Sequence, residues 1–107
     1  MIHINIFENI PAELPTELVE TLVEGASFRV ERIVSRGHAS PEGFWYDQPQ
    51  NEWVIVLRGH AYLVFEGKDE PVFMSAGDYM NIPAHVKHRV EWTDEDQDTV
   101  WLAVHYD

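Results

Sequence analysis

The sequence predicts an all-β fold of the sandwich or barrel type, because short apolar stretches alternate with turn residues along most of its 107 residues. Turn signals such as Arg58-Gly59 and Gly77-Asp78 separate these stretches. The candidate strands are residues 28–35, 53–57, 61–65, 72–74, 79–82, 88–93 and 99–106. Strands this short and this numerous indicate two sheets packed face to face or one closed barrel.

The first 25 residues are predicted to form a strand and a short helix ahead of a barrel at residues 28–106. Ile2, Ile4 and Ile6 alternate with polar residues, as is typical of a strand. Apolar residues then recur at a helical spacing, at Leu18, Val19, Leu22 and Val23. Gly25 is suited to end that helix. The length of the chain fits one domain over residues 1–107.

Charge and composition exclude several classes of function. With 7 basic and 19 acidic residues, the net charge is −12, which repels nucleic-acid phosphates and anionic lipids. No apolar run approaches the roughly 18 residues of a membrane helix. The chain has no cysteine, so neither disulfides nor thiolate chemistry are available, and a cytoplasmic location is expected.

Two stretches carry a resemblance to a known family. Residues 77–88 read GDYMNIPAHVKH, with a glycine, an aspartate, a proline and then His88 at the head of an apolar strand. Residues 52–59 read EWVIVLRG, a glutamate followed by six residues and a glycine. Together they resemble the second and first motifs of the cupin superfamily, in its small, single-domain form with a type-2 conserved barrel. The resemblance covers roughly residues 32–106 and implies a jelly-roll β-barrel.

The resemblance also implies a divalent metal inside the barrel, with His88 and Glu52 among its ligands. The family usually carries a His-x-His pair shortly before the glutamate, and this chain has none. Aligning the proline that often follows the pair onto Pro49 puts Tyr46 and Gln48 at the two positions. A shift by one residue puts Trp45 and Asp47 there instead. An oxygen-rich shell of this kind suits iron(II), manganese(II) or nickel(II) better than zinc, and no organic cofactor is predicted.

Strand alternation predicts which side chains enter the barrel. His88 and Trp92 share the apolar face of their strand, so both are expected to point inward. Arg32 lies between Val30 and Val34, and the same reasoning places it inside, where it would neutralise an anionic substrate group. Alternatively, Arg32 and Glu52 form a structural ion pair, and His88 is a hydrogen-bonded core histidine.

The predicted substrate contacts are Arg32, Trp45, Asp47, His85 and Trp92. His85 would enter the barrel only through the turn at Pro83, since it lies three residues before His88. The aromatic residues near the predicted mouth favour a small-molecule site, although aromatics also serve as ordinary strand and core residues.

Two functions from different classes follow. In the first, the barrel binds a small molecule beside a metal and catalyses a metal-assisted reaction of the isomerase, oxygenase or lyase type. In the second, the barrel has lost the first-motif histidine pair and is a non-catalytic, metal-free ligand-binding or sensor protein. A homodimer formed through the Ile2–Ile6 segment is compatible with both.

Overall fold

The computed structural model describes residues 1–107 as eight β-strands and no helix. The strands are β1 (Leu18–Glu24), β2 (Phe28–Ser35), β3 (Asn51–Arg58), β4 (His60–Phe65), β5 (Val72–Ser75), β6 (Tyr79–Ile82), β7 (His88–Thr93) and β8 (Thr99–Tyr106). They form a five-stranded sheet in the order β1-β2-β8-β3-β6 and a three-stranded sheet in the order β5-β4-β7. The predicted all-β class is therefore confirmed, and no helix that could span a membrane is present.

The hydrophobic core lies between the two sheets. The five-stranded sheet contributes apolar side chains from β3, β6 and β8, and the three-stranded sheet contributes them from β4 and β5. The core residues are Val54, Val56, Ala61, Leu63, Met74, Ile82, Trp101 and Ala103. On β3 and β8 they alternate with outward-facing residues, which is why the strand pattern of the sequence was readable.

The prediction of a helix near residues 16–25 is wrong, because this segment forms β1 at the edge of the larger sheet. Val19 lies opposite Ile33, and Leu18 lies opposite Val34, so pairing with β2 satisfies the backbone of both strands. A short apolar run fits both the helical repeat and the strand repeat. Here the pairing with β2 overrides the local helical pattern. The predicted strand at Ile2–Ile6 is also absent, and Ile2 and Ile4 are exposed.

A bulge in β7 reverses the direction of its last side chains. Val90 pairs with Leu63, but the next pair is Trp92 with Tyr62, so Glu91 is the extra residue on β7. Trp92 consequently lies on the outer face against the Tyr62 ring and is 40% exposed. The expectation that Trp92 shares the inner face with His88 is therefore wrong.

Candidate ligand-binding cavity

One cavity of about 160 Å³ lies between the sheets and is lined by 14 residues. Eight of them are hydrophobic, supplied by both sheets and by the segment before β3. The other six are polar or charged: Glu17, Glu31, Gln48, Glu52, His88 and His105. A small apolar chamber with a few converging polar groups is the usual form of a small-molecule site.

His88 and Glu52 face each other inside this cavity, and both side chains are almost fully buried. His88 Nε2 lies 3.5 Å from Glu52 Oε1. The other ring nitrogen, Nδ1, lies 2.9 Å from the Val86 carbonyl oxygen, which can only accept a hydrogen bond. Nδ1 therefore carries a hydrogen, and in the neutral ring Nε2 presents a lone pair towards a carboxylate.

A lone pair facing a carboxylate is repulsive unless a cation lies between them or Nε2 binds a proton. Burial lowers the pKa of His88, but the hydrogen-bonding interaction and charge of Glu52, together with the Val86 carbonyl, raise that pKa above 6.5 overall. The site therefore favours a positive charge at Nε2, and either a proton or a metal ion can supply it.

Tyr46 and Gln48 line the same cavity, whereas Asp47 does not. Tyr46 pairs with His88 through two backbone hydrogen bonds, and its ring stacks on the imidazole at a centroid distance of 5.5 Å. Alternation along this segment sends Asp47 outward, where its carboxylate binds His85 Nδ1 at 2.8 Å. The alignment on Pro49 thus matches the placement of side chains better than the shifted one.

Tyr46 is held in its neutral form. Burial raises the pKa of Tyr46 above its usual value of 10, and the charges of Glu17 and Glu52 raise it further. The pKa of Glu17 is raised by its own burial, against the opposing effects of a hydrogen bond from Ser35 and of His38. The phenol of Tyr46 is therefore a hydrogen-bond donor at neutral pH.

A second histidine–carboxylate pair lines the cavity. His105 Nε2 lies 2.8 Å from Glu31 Oε1, and both side chains are mostly buried. His105 is the Cα partner of Glu52 on the neighbouring strand, so both side chains share the inner face. Because the Glu31 carboxylate accepts the hydrogen on Nε2, the lone pair of the neutral ring lies on Nδ1.

Sequence reasoning missed Glu17, Glu31 and His105. The alternation of Trp101, Ala103 and His105 along β8 was a readable signal for His105. Glu31 was hidden because β2 has apolar residues on both faces, so its inner face could not be recognised from the pattern.

Arg32 does not enter the cavity, so the expectation of an inward arginine is wrong. Its guanidinium lies on the outer face of β2 and is 5% exposed. It binds the Glu20 carboxylate and the carbonyl oxygens of Ile6 and Glu8, and it does not pair with Glu52. Trp45 and His85 also lie outside the set of lining residues, and His85 occupies an exposed turn with a φ of 64°.

Chemically, His88 and Glu52 fit a divalent ion. Two atoms bound at about 2.1 Å to one metal lie about 3.4 Å apart in tetrahedral geometry and about 3.0 Å apart at adjacent octahedral positions, so the observed 3.5 Å lets both groups reach one ion with a shift of at most about half an ångström. The Val86 carbonyl orients the imidazole as such carbonyls do for metal-bound histidines. No group of three or more His, Asp or Glu side chains in the chain is arranged to hold a metal, so Tyr46 or Gln48 would have to complete the shell.

Comparisons with known proteins agree with this architecture. A family model described as "Cupin domain" matches residues 33–105. A Ralstonia eutropha JMP134 protein, provisionally named a mannose-6-phosphate isomerase, is 48% identical over 100% of this chain and 99% of its own, with a TM-score of 0.96. The comparison with curated proteins gave no match.

More distant structures share the fold alone. An RmlC-like cupin family protein with a double-stranded β-helix fold, from Methanocaldococcus jannaschii, is 22% identical, with a TM-score of 0.70 over 92% of this chain and 86% of its own. The DMSP lyase DddQ from Ruegeria pomeroyi DSS-3 is 18% identical, with a TM-score of 0.71 over 85% of this chain and 47% of its own.

Proposed function

The protein belongs to the cupin domain family, and from that premise we propose that it binds a small molecule in its barrel beside a divalent metal held by His88 and Glu52. Tyr46 or Gln48 completes the shell, and iron(II), manganese(II) or nickel(II) suits these ligands better than zinc. In this proposal the protein is a metal-dependent enzyme of the isomerase, oxygenase or lyase type.

One observation carries the proposal: His88 Nε2 faces Glu52 Oε1 at 3.5 Å, while Nδ1 is occupied by a carbonyl. This separation exceeds the usual N–H···O distance of about 2.9 Å, and it leaves room for a cation bound to both groups. Without a cation, two electron-rich groups would face each other in a buried cavity, which is costly.

A divalent ion bound here would supply Lewis-acid chemistry towards a carbonyl or hydroxyl oxygen of the ligand. The residues of the chain have distinct tasks around it. The Val86 carbonyl fixes the His88 ring, and where Gln48 completes the shell the Tyr46 phenol is free to donate a hydrogen bond into the cavity. Glu31 orients His105, whose neutral ring has its lone pair at Nδ1.

Metal content tests the proposal. The purified wild-type protein is expected to hold about one equivalent of divalent metal, and His88→Ala is expected to hold at least about tenfold less at the same free metal concentration. Elemental analysis after dialysis measures both. The control is His3→Ala, which removes an exposed histidine outside the cavity. Equal metal in wild-type protein and His88→Ala would exclude His88 as a ligand.

A metal-free ligand-binding or sensor barrel is the second candidate, and the raised pKa of His88 favours it. A raised pKa in the folded state means that the protonated ring stabilises the protein below its unfolded value near 6.5. That stability is lost as the pH rises through the higher folded value.

The pH dependence of unfolding tests this second candidate. For chelator-treated protein, the free energy of unfolding is expected to fall as the pH rises from about 6.5, and Glu52→Gln is expected to lack this component. Urea titrations at several pH values measure it. Stability that rises over that range only with metal added would favour the first candidate, because metal binding requires the neutral imidazole. Parallel profiles for wild-type protein and Glu52→Gln would exclude the protonated pair.

The expected homodimer remains a proposal. Ile2 and Ile4 are exposed, and so is Leu22 on the edge strand β1, so apolar surface is available for a second copy. A monomeric mass by sedimentation equilibrium would exclude it. The cytoplasmic location likewise remains a prediction, and cell fractionation would decide it.

A further inference from the structure

The one positive charge that the cavity favours, at His88 Nε2, faces the carboxylate of Glu52 and is offset by it. None of the 14 residues that line the cavity is lysine or arginine, whereas Glu17, Glu31 and Glu52 supply three carboxyl groups. Phosphate groups in proteins are usually bound by arginine, lysine or the N-terminus of a helix. This fold has no helix, so it has no helix N-terminus to use.

The arginines closest in sequence to these carboxyl groups are already engaged. Arg32 points to the opposite face of β2 and is bound by Glu20 and backbone carbonyls. Arg29 Nε lies 3.0 Å from Glu31 Oε2, where it offsets part of the charge of Glu31, and it is not among the lining residues. The overall charge of −12 adds a long-range repulsion of anions.

The enclosed part of the ligand is small. A closed cavity of about 150 Å³ in another protein holds benzene, so the 160 Å³ of this cavity, which is open to solvent on one side, covers a body of similar size. Eight hydrophobic lining residues suit an apolar body. A hexose phosphate is considerably larger and carries two negative charges.

The hydrogen-bond acceptors of the cavity are carboxyl groups. Glu17, Glu31 and Glu52 accept hydrogen bonds from hydroxyl or ammonium groups. The unpartnered indole Nε1 of Trp101 is not a ligand contact, because this atom is inaccessible to solvent and therefore to a molecule in the cavity.

We infer that the cavity takes a small molecule that carries hydroxyl or ammonium donors and neither phosphate nor carboxylate. The inference rests on the proposed small-molecule function and deepens it. It separates the chemistry of this chain from the sugar phosphate in the provisional name of the Ralstonia protein. Glu17, Glu31 and Glu52 are the acceptors for the ligand's donor groups.

Four probes of benzene size test the inference: benzyl alcohol, benzylamine, benzoate and phenyl phosphate, with mannose 6-phosphate as a fifth ligand. Saturation-transfer NMR titrations at millimolar concentration give their affinities for the metal-loaded and the chelator-treated protein. The alcohol and the amine are expected to bind at least about tenfold more tightly than the three anions. The alcohol arm and the amine arm show which donor the cavity prefers.

Two variants test whether a carboxylate of the cavity causes this preference. Glu31→Gln keeps an acceptor oxygen but removes the charge, and it is expected to weaken benzylamine about tenfold. Glu42→Gln removes an exposed carboxylate outside the cavity and is expected to change nothing. If Glu31→Gln does not fold, Glu17→Gln applies the same test at another wall of the cavity.

Two results would overturn the inference: an anionic probe that binds the chelator-treated protein as tightly as the alcohol or the amine, or no binding by any probe. Metal analysis of the same samples distinguishes a failure of this inference from a failure of the proposed metal site. Bound alcohol or amine without any metal contradicts only the metal site. Stoichiometric metal with preferred binding of benzoate to the chelator-treated protein contradicts only the ligand class.

Discussion

Replacing Arg32 with alanine is expected to lower the free energy of unfolding by about 2 kcal/mol through the loss of its hydrogen bonds. The guanidinium is buried, and it links β1 to the N-terminal segment through Glu20 and the carbonyl oxygens of Ile6 and Glu8. Its removal leaves these acceptors without their donor. Urea unfolding at pH 7 measures the loss.

Arg29→Ala is the matched control for this prediction. Arg29 is 38% exposed and forms one ion pair, with Glu31, so its loss is expected to cost less than about 1 kcal/mol. If the two variants lose the same stability, Arg32 does not anchor the N-terminal segment. Arg32→Lys is also expected to be destabilising, because an ammonium group cannot reproduce the planar, multidentate contacts of a guanidinium.

Trp101→Ala is expected to cost about 3–5 kcal/mol. The indole is buried in the core between the sheets and also forms one wall of the cavity, so truncation removes packing and enlarges the void. Trp101→Phe is expected to cost much less, since the indole Nε1 has no hydrogen bond within the chain to lose. Thermal and urea unfolding of both variants measure the difference.

The control for Trp101 is Trp53→Ala. Trp53 is half-buried on the outer face of β3, where its ring lies beside Tyr79. We expect its truncation to destabilise the protein less than that of Trp101, because fewer packing contacts are lost. A larger loss at Trp53 would show that the outer face of the five-stranded sheet contributes more to stability than the core between the sheets.

Much of the fold was predictable because the inner strands alternate clearly. The bounds of β2, β6, β7 and β8 agree with the sequence prediction, and β3, β4 and β5 differ from it only at their ends. The segment at Leu18–Glu24 failed because seven residues fit both a helical and a strand repeat. Its pairing with β2 is a tertiary interaction, which the local hydrophobic pattern does not encode.

The candidate site was predictable only in part, because side-chain direction depends on details of register. Alternation correctly placed His88 and Glu52 in the cavity, and the alignment on Pro49 placed Tyr46 and Gln48 there. Trp92 was misplaced because a bulge leaves no simple trace in the sequence. Arg32 was misplaced, and Glu31 missed, because both faces of β2 are covered, one by the N-terminal segment and one by the barrel.

Anomalous X-ray diffraction from crystals of the protein purified without chelator locates a metal directly. The expected result is a single anomalous peak within about 2.0–2.2 Å of both His88 Nε2 and Glu52 Oε1, and the absence of that peak in His88→Ala crystals. Crystals with no peak there, in which Nε2 and the carboxylate form a direct hydrogen bond, would contradict a metal held between these two side chains.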